Sequence, residues 1–211
     1  MTQVKICGIK KLNDAMFAAN AGADAIGFVF AESKRRMSIE QAANIAMNIP
    51  DHVKKIGVFV NPSRIELEET YQQVGLDYVQ LHGNESPEFC ESLSLPFIKA
   101  LRVSSDKDLR ALKTYEKASY FLLDSATGPY QGGNGTTFGW ELLKDQKINR
   151  SKLILAGGLN EDNVKTAINQ STPVMVDVSS GVETNGQKDP IKIKQFIQNV
   201  KERSTCHTHN L

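Results

Sequence analysis

Eight short runs rich in β-branched and aromatic residues recur along the chain: QVKICG, ADAIGFVF, KKIGVFV, DYVQLHG, PFIKAL, YFLLD, KLILAGG and VMVDVSS. Between them the apolar period lengthens to that of a helix, as in Leu12, Ala15, Met16 and Ala19, and again in Ile193, Phe196, Ile197 and Val200. Helix starts are signalled independently. Ser38 with Gln41 and Ser63 with Glu66 read as capping boxes, and Ser86-Pro87 and Asp189-Pro190 pair an N-cap with a first-turn proline. Strands that are continuous apolar runs are buried on both faces, and strand–helix alternation requires parallel pairing with right-handed crossovers.

Eight such units close into a barrel. An open doubly wound sheet would carry a G-x-G-x-x-G turn after the first strand, where CGIKKLNDA stands instead. The expected fold is therefore α/β, a single (β/α)8 TIM barrel with eight parallel strands over residues 1–203, followed by a short polar tail at 204–211. At 211 residues the chain is near the small end for this architecture, where about 250 is usual, so no second domain fits and the loops must be short.

Charge and cysteine content narrow the partners. Twenty-five basic against 24 acidic residues leave a net charge of +1, and no Lys/Arg block suggests nucleic acid. A small-molecule substrate is expected, with a monomer as the default and a homodimer left open. Three cysteines (Cys7, Cys90, Cys206) without CxxC spacing argue against a disulfide framework and for a reducing compartment. No charged n-region with an apolar h-region precedes the first strand and no apolar segment approaches membrane-spanning length, so the expected location is cytoplasmic, away from membranes. Cys206, His207 and His209 cluster on the polar tail and are read as incidental, with no metal assigned.

In a barrel of this kind the reactive groups sit at the C-terminal strand ends and in the loops beyond them. Those ends carry Cys7, Ser33 with Arg35, Asn61, His82, Arg102, Asp124, Gly157-Gly158, and Asp177 with Ser179-Ser180. Gly157, Gly158, Ser179, Ser180 and Gly181, after the seventh and eighth runs, read as a phosphate cradle, because small residues let backbone N–H groups approach an anion. Residue type alone leaves Cys7 open between a small core hydrophobe and a base whose pKa is lowered by a nearby cation, Lys5 being two residues away. Asp124, ending YFLLD, is equally open between a loop cap and a partly desolvated general acid with a raised pKa. Arg35 is either a carboxylate clamp or solvated charge, and His82 either a satisfied or a catalytic histidine. The long glycine-rich stretch 125–139 beside Asp124 favours a functional loop.

Taken in order, KICGI, GADAIGFVF, SKRR, GVFVN, QLHG, LLDS, GGNGTTFGW, LAGGLN and DVSSGVE followed by GQKD resemble the phosphoribosylanthranilate isomerase family of tryptophan biosynthesis over essentially the whole chain. The resemblance implies an Amadori rearrangement of the aldosamine phosphoribosylanthranilate to a ketosamine, with no cofactor and no metal. It implies that Asp124 protonates the furanose ring oxygen and that Cys7 removes the C2 proton. It also implies that Arg35 holds the anthranilate carboxylate, that Gly158 and Ser179-Ser180 donate to phosphate, and that His82 and Asp177 line the pocket. One departure stands out: where the family reads FDW, this chain has FGW, with Gly139 in place of the carboxylate.

Overall fold

The computed structural model describes residues 1–125, 140–143 and 148–202. Eight parallel strands close into one barrel in sequence order: β1 (Gln3–Cys7), β2 (Ala25–Val29), β3 (Lys54–Phe59), β4 (Tyr78–Leu81), β5 (Phe97–Val103), β6 (Tyr120–Ser125), β7 (Leu153–Leu155) and β8 (Met175–Val178). Every one of the eight expected runs supplies a strand. The helices that return the chain are α1 (Leu12–Asn20), α2 (Ile39–Ala46), α3 (Arg64–Val74), α4 (Pro87–Glu91), α5 (Asp106–Arg110), α6 (Val164–Ser171) and α7 (Pro190–Lys201).

Caps explain where several helices begin. Ser38 forms a full capping box with Gln41, whereas Ser63 accepts from the Glu66 amide without the reciprocal bond, so only half of that expected box is made. Ser86 accepts from the Phe89 amide, and Asp189 from the amides of Ile191 and Lys192, each ahead of a first-turn proline. Between β6 and β7, the described residues include 3-10 turns at Trp140–Leu143 and Arg150–Lys152.

Alternation along each strand sorts side chains into two compartments. One face packs under the helices, with Val4, Ile6, Phe28, Leu81, Leu123 and Val176 in the large outer core. The other face fills the barrel, where Ala25, Ile56, Ile98, Ala100, Leu122, Ile154 and Met175 form a separate cluster, and Tyr78 and Tyr120, edge to face with each other, pack against it. Above it Cys7, Val29 and Val58 form a third cluster. The barrel is thus filled in layers and is not a pore. The inward parity also selects Lys5, Gln80, His82, Arg102, Asp124, Asp177 and Ser179, so the polar residues of the interior gather toward the C-terminal mouth.

One feature of the mouth departs from simple strand–helix alternation. After β8 come a 3-10 turn (Ser180–Val182) and a two-stranded antiparallel ribbon, β9 (Glu183–Thr184) with β10 (Gln187–Lys188). Its two-residue turn, Asn185-Gly186, has φ of 52° and 75°, the paired left-handed values that a tight primed turn requires. The tail from 204 onward, with Cys206, His207 and His209, and the stretch 126–139 with Gly139 lie outside the described residues, so the barrel as described ends with α7.

Candidate active site

Lys5, the one charged side chain of β1, organises the interior of the mouth. The β1–β8 ladder sets Lys5 directly beside Asp177, and the Lys5 ammonium bonds Asp177 Oδ1 at 3.0 Å with both side chains buried. Its second bond, also 3.0 Å, goes across the barrel to Gln80 Oε1. Burial works against the Lys5 charge, but Asp177 and the neighbouring thiol of Cys7 hold its pKa above the usual lysine value.

Cys7 sits two residues further along the same face and is 8% exposed. Its ladder neighbour is Gly27, and a Cβ there would lie 2.8 Å from the Cys7 sulfur and 3.1 Å from Lys5 Cε, so the absent side chain is the space in which thiol and lysine stem pack. Of the two readings the sequence leaves open for Cys7, the buried setting does not favour the one with a lowered pKa. Burial pushes the thiol up and Asp177 adds to it, and the opposing pull of Lys5 and Lys188 does not recover the difference. Lys5 still pulls the thiol down, but loss of water around the buried sulfur outweighs that pull and the Asp177 carboxylate works against it. In a variant lacking Cys90 and Cys206, thiolate absorbance should therefore reach half-height above the roughly 8.5 of a free thiol. A midpoint below 7.5 would show that the local cations dominate.

Asp124 lies one residue before the end of β6 on the opposite wall, half-buried, with Arg102 beside it in the β5–β6 ladder. Its Oδ2 lies 3.4 Å from His82 Nε2, and His82 Nδ1 lies 3.1 Å from Gln80 Nε2. His82, at the end of β4, therefore faces the expected acid directly.

Arg35, in the loop after β2, is turned toward the β9–β10 ribbon. Glu183 grips its Nε at 2.8 Å and its Nη2 at 2.7 Å, and Lys188 bonds the same carboxylate at 2.7 Å. Burial alone would raise the Glu183 carboxyl, yet its bonds to Arg35 and Lys188 bring it below the usual range. Lys188, itself buried, is lowered by desolvation despite that partner. It also donates to the Ser179 carbonyl at 2.9 Å, while Ser179 Oγ donates to the Cys7 carbonyl at 3.1 Å. Loop eight is thereby tied to the end of β1. Together with Lys10, Lys11 and Lys34, Arg35 and Lys188 make a basic recess above Gly8.

The two glycine-rich loops meet. Gly157 and Gly158 both have positive φ, 83° and 65°, which lets the chain turn sharply at the end of β7. Gly181 lies so close to the Leu159 carbonyl that an added Cβ would overlap it. Gly181→Ala should push the two loops apart at a cost of about 1–3 kcal/mol, and should raise KM for a phosphorylated substrate roughly tenfold while changing kcat less. An unchanged KM would separate these loops from binding.

Of the expected site residues, Cys7, Asp177, His82 and Asp124 share the barrel interior. Arg35 stands at its rim, and Gly157, Gly158, Ser179, Ser180 and Gly181 form the neighbouring loops. Gln80, Glu183 and Lys188 were not anticipated. The signal for Gln80 was a polar residue at an inward position of an apolar strand, and for the ribbon it was the Asn-Gly pair; the pairing of Glu183 with Arg35, 148 positions apart, has no local signature.

A parallel barrel with a thiol, a carboxyl and buried cations around its mouth, beside two touching glycine-rich loops, belongs to the class of barrels equipped for proton transfer on a small anionic molecule. Comparison with known proteins narrows that class. The family model for N-(5'-phosphoribosyl)anthranilate (PRA) isomerase matches residues 4–199, and the chain belongs to that family. Among its relatives, N-(5'-phosphoribosyl)anthranilate isomerase of Listeria innocua is 51% identical over 198 residues, 94% of this chain and 97% of that one. The crystal structure of phosphoribosyl anthranilate isomerase from Thermotoga maritima superposes with a TM-score of 0.88 at 43% identity, covering 95% and 99% of the two chains. A second structure of the enzyme, in complex with reduced 1-(o-carboxyphenylamino)-1-deoxyribulose 5-phosphate, superposes at 0.84 with 41% identity over the same shares.

Proposed function

We infer that this protein catalyses the Amadori rearrangement of N-(5-phosphoribosyl)anthranilate to 1-(2-carboxyphenylamino)-1-deoxyribulose 5-phosphate in tryptophan biosynthesis, acting in the cytoplasm on this small molecule. The observation that carries the reading is the single polar mouth in which Cys7 and Asp124 project from opposite sides of a barrel whose family performs this reaction. Asp124 gives its proton to the furanose ring oxygen. The C1–O bond breaks and the anilino nitrogen lone pair closes a C1=N bond, giving a protonated Schiff base.

Cys7, as thiolate, then takes the proton from C2, and the released electron pair forms the C1=C2 bond of an enolamine while the iminium charge is neutralised. Proton shift from the C2 hydroxyl to C1 yields the ketone, so substrate and product have the same atoms, with C2 oxidised and C1 reduced inside one molecule and no external electron acceptor. Each step is a proton transfer. With the Nε and Nη2 edge of Arg35 held by Glu183, the Nη1 side remains to meet the anthranilate carboxylate, and the loops at Gly157-Gly158 and Ser179–Gly181 receive the phosphate through backbone N–H groups. His82 and Asp177 border the sugar.

Purified protein added to phosphoribosylanthranilate should abolish the fluorescence of that substrate and produce the ketosamine. Persistence of fluorescence with folded protein and excess enzyme would refute the assignment.

A further inference from the structure

A continuous polar chain crosses the inside of the mouth from the β1–β8 wall to the β6 wall: Asp177, Lys5, Gln80, His82, Asp124. Its hydrogen-bond directions are determined from one end. An ammonium can only donate, so the Gln80 atom 3.0 Å from Lys5 Nζ must be the amide oxygen. The amide nitrogen then faces His82 Nδ1 at 3.1 Å, and an amide NH2 can only donate, so Nδ1 must carry a lone pair. The proton of the neutral ring therefore resides on Nε2, the nitrogen 3.4 Å from Asp124 Oδ2. We propose that Gln80 is a positioning residue which, oriented by Lys5, fixes His82 as the Nε2–H tautomer and thereby orders the carboxyl of Asp124.

The consequence for the acid is specific. Nε2–H lies 3.4 Å from Asp124 Oδ2, so a protonated Asp124 avoids that N–H by carrying its hydrogen on Oδ1. Once that proton has gone to the ring oxygen, the same N–H stabilises the carboxylate left behind. The chain begins at Lys5, whose stem packs beside the Cys7 thiol against Gly27. One buried ammonium thus touches the base at one end and orients the acid through two side chains at the other.

This inference rests on the reading of Asp124 as the acid, but its test does not require turnover. In uniformly 15N-labelled free protein, long-range proton–nitrogen correlation spectra recorded where the ring is neutral, with His82 assigned from a His82→Gln variant, should show a bare Nδ1 and a protonated Nε2. Gln80→Glu places an acceptor where the amide nitrogen stood, and should move the proton to Nδ1, as the other tautomer or the imidazolium. The same variant should lower kcat roughly 10–100-fold, less than the roughly 10²–10⁴ of losing the acid itself, with a smaller change in KM. A protonated Nδ1 in the parent protein, or an unchanged His82 spectrum in Gln80→Glu, would overturn the proposal. If His82 shows the expected tautomer in a protein that fails to turn over phosphoribosylanthranilate, the relay stands and the isomerase assignment falls. Turnover by a protein with the opposite tautomer separates them the other way.

Discussion

Replacing Cys7 with serine should lower kcat by roughly 10³-fold and leave KM within a few-fold of the parent, as measured by the decay of substrate fluorescence. The reason lies in how this thiol is held. It is buried at the end of β1, between Gly27 and the Lys5 stem, and its pKa is raised above the ordinary value because desolvation outweighs the pull of Lys5 and Lys188. The thiol is the dominant form at neutral pH, but the thiolate that does form is a strong base in a buried site. Removal of a proton from carbon next to an iminium needs such a base. A serine hydroxyl in the same position occupies a similar volume and ionises far less readily, so binding survives and proton abstraction does not. A loss under tenfold would mean that another group takes the C2 proton.

The largest effect on stability is expected outside the chemistry, at Lys99. This side chain faces outward from β5 and is buried against Glu85, at 2.6 Å, with both side chains 1% exposed. The Glu85 carboxylate also accepts the amides of Asn61 and Gly83, and the Lys99 ammonium donates to the carbonyls of Leu81 and Gly83. The pair therefore fastens the loops after β3 and β4, one residue beyond His82. Lys99→Met would leave a buried carboxylate without its counter-ion, a loss of about 3–5 kcal/mol, against a total stability of about 5–15 kcal/mol for a domain of ordinary stability. In thermal unfolding this corresponds to a fall in Tm of roughly 6–20 °C for a chain of this size. Adding Glu85→Gln to Lys99→Met should recover part of the loss, because the charge disappears while an amide oxygen remains for the loop amides. A single-variant loss below 1 kcal/mol would show that water reaches the carboxylate.

These two sites differ in how openly the sequence displays them. The strands and most helices follow from period and caps, since a buried parallel strand must be apolar on both faces and a helix must begin on an acceptor for its free amides. Cys7 and Asp124 were legible because each terminates such a run, where the barrel opens. Lys5 and Gln80 lie inside runs that read as uninterrupted strands, and only the inward parity of β1 and β4, with the Lys5–Asp177 register, reveals that they meet. The Cys7 ionisation stayed open because the sequence shows that a lysine is near but not how deeply the thiol is buried or that Asp177 stands beside it. The Arg35–Glu183–Lys188 group depends on a ribbon after β8 whose Asn185-Gly186 turn was visible, but whose contact with the loop after β2 is purely tertiary.

A single substrate should lie across the mouth with Cys7 and Asp124 on either side of the reacting carbons. A crystal structure with the reduced ketosamine phosphate tests it most directly. The phosphate should lie on the loops at Gly157-Gly158 and Ser179–Gly181, the aromatic carboxylate against Arg35, the Cys7 sulfur within contact distance of C2 and the Asp124 carboxyl within hydrogen-bond distance of the former ring oxygen. Phosphate density elsewhere, or a bound sugar with both groups on the same side of its carbons, would contradict it.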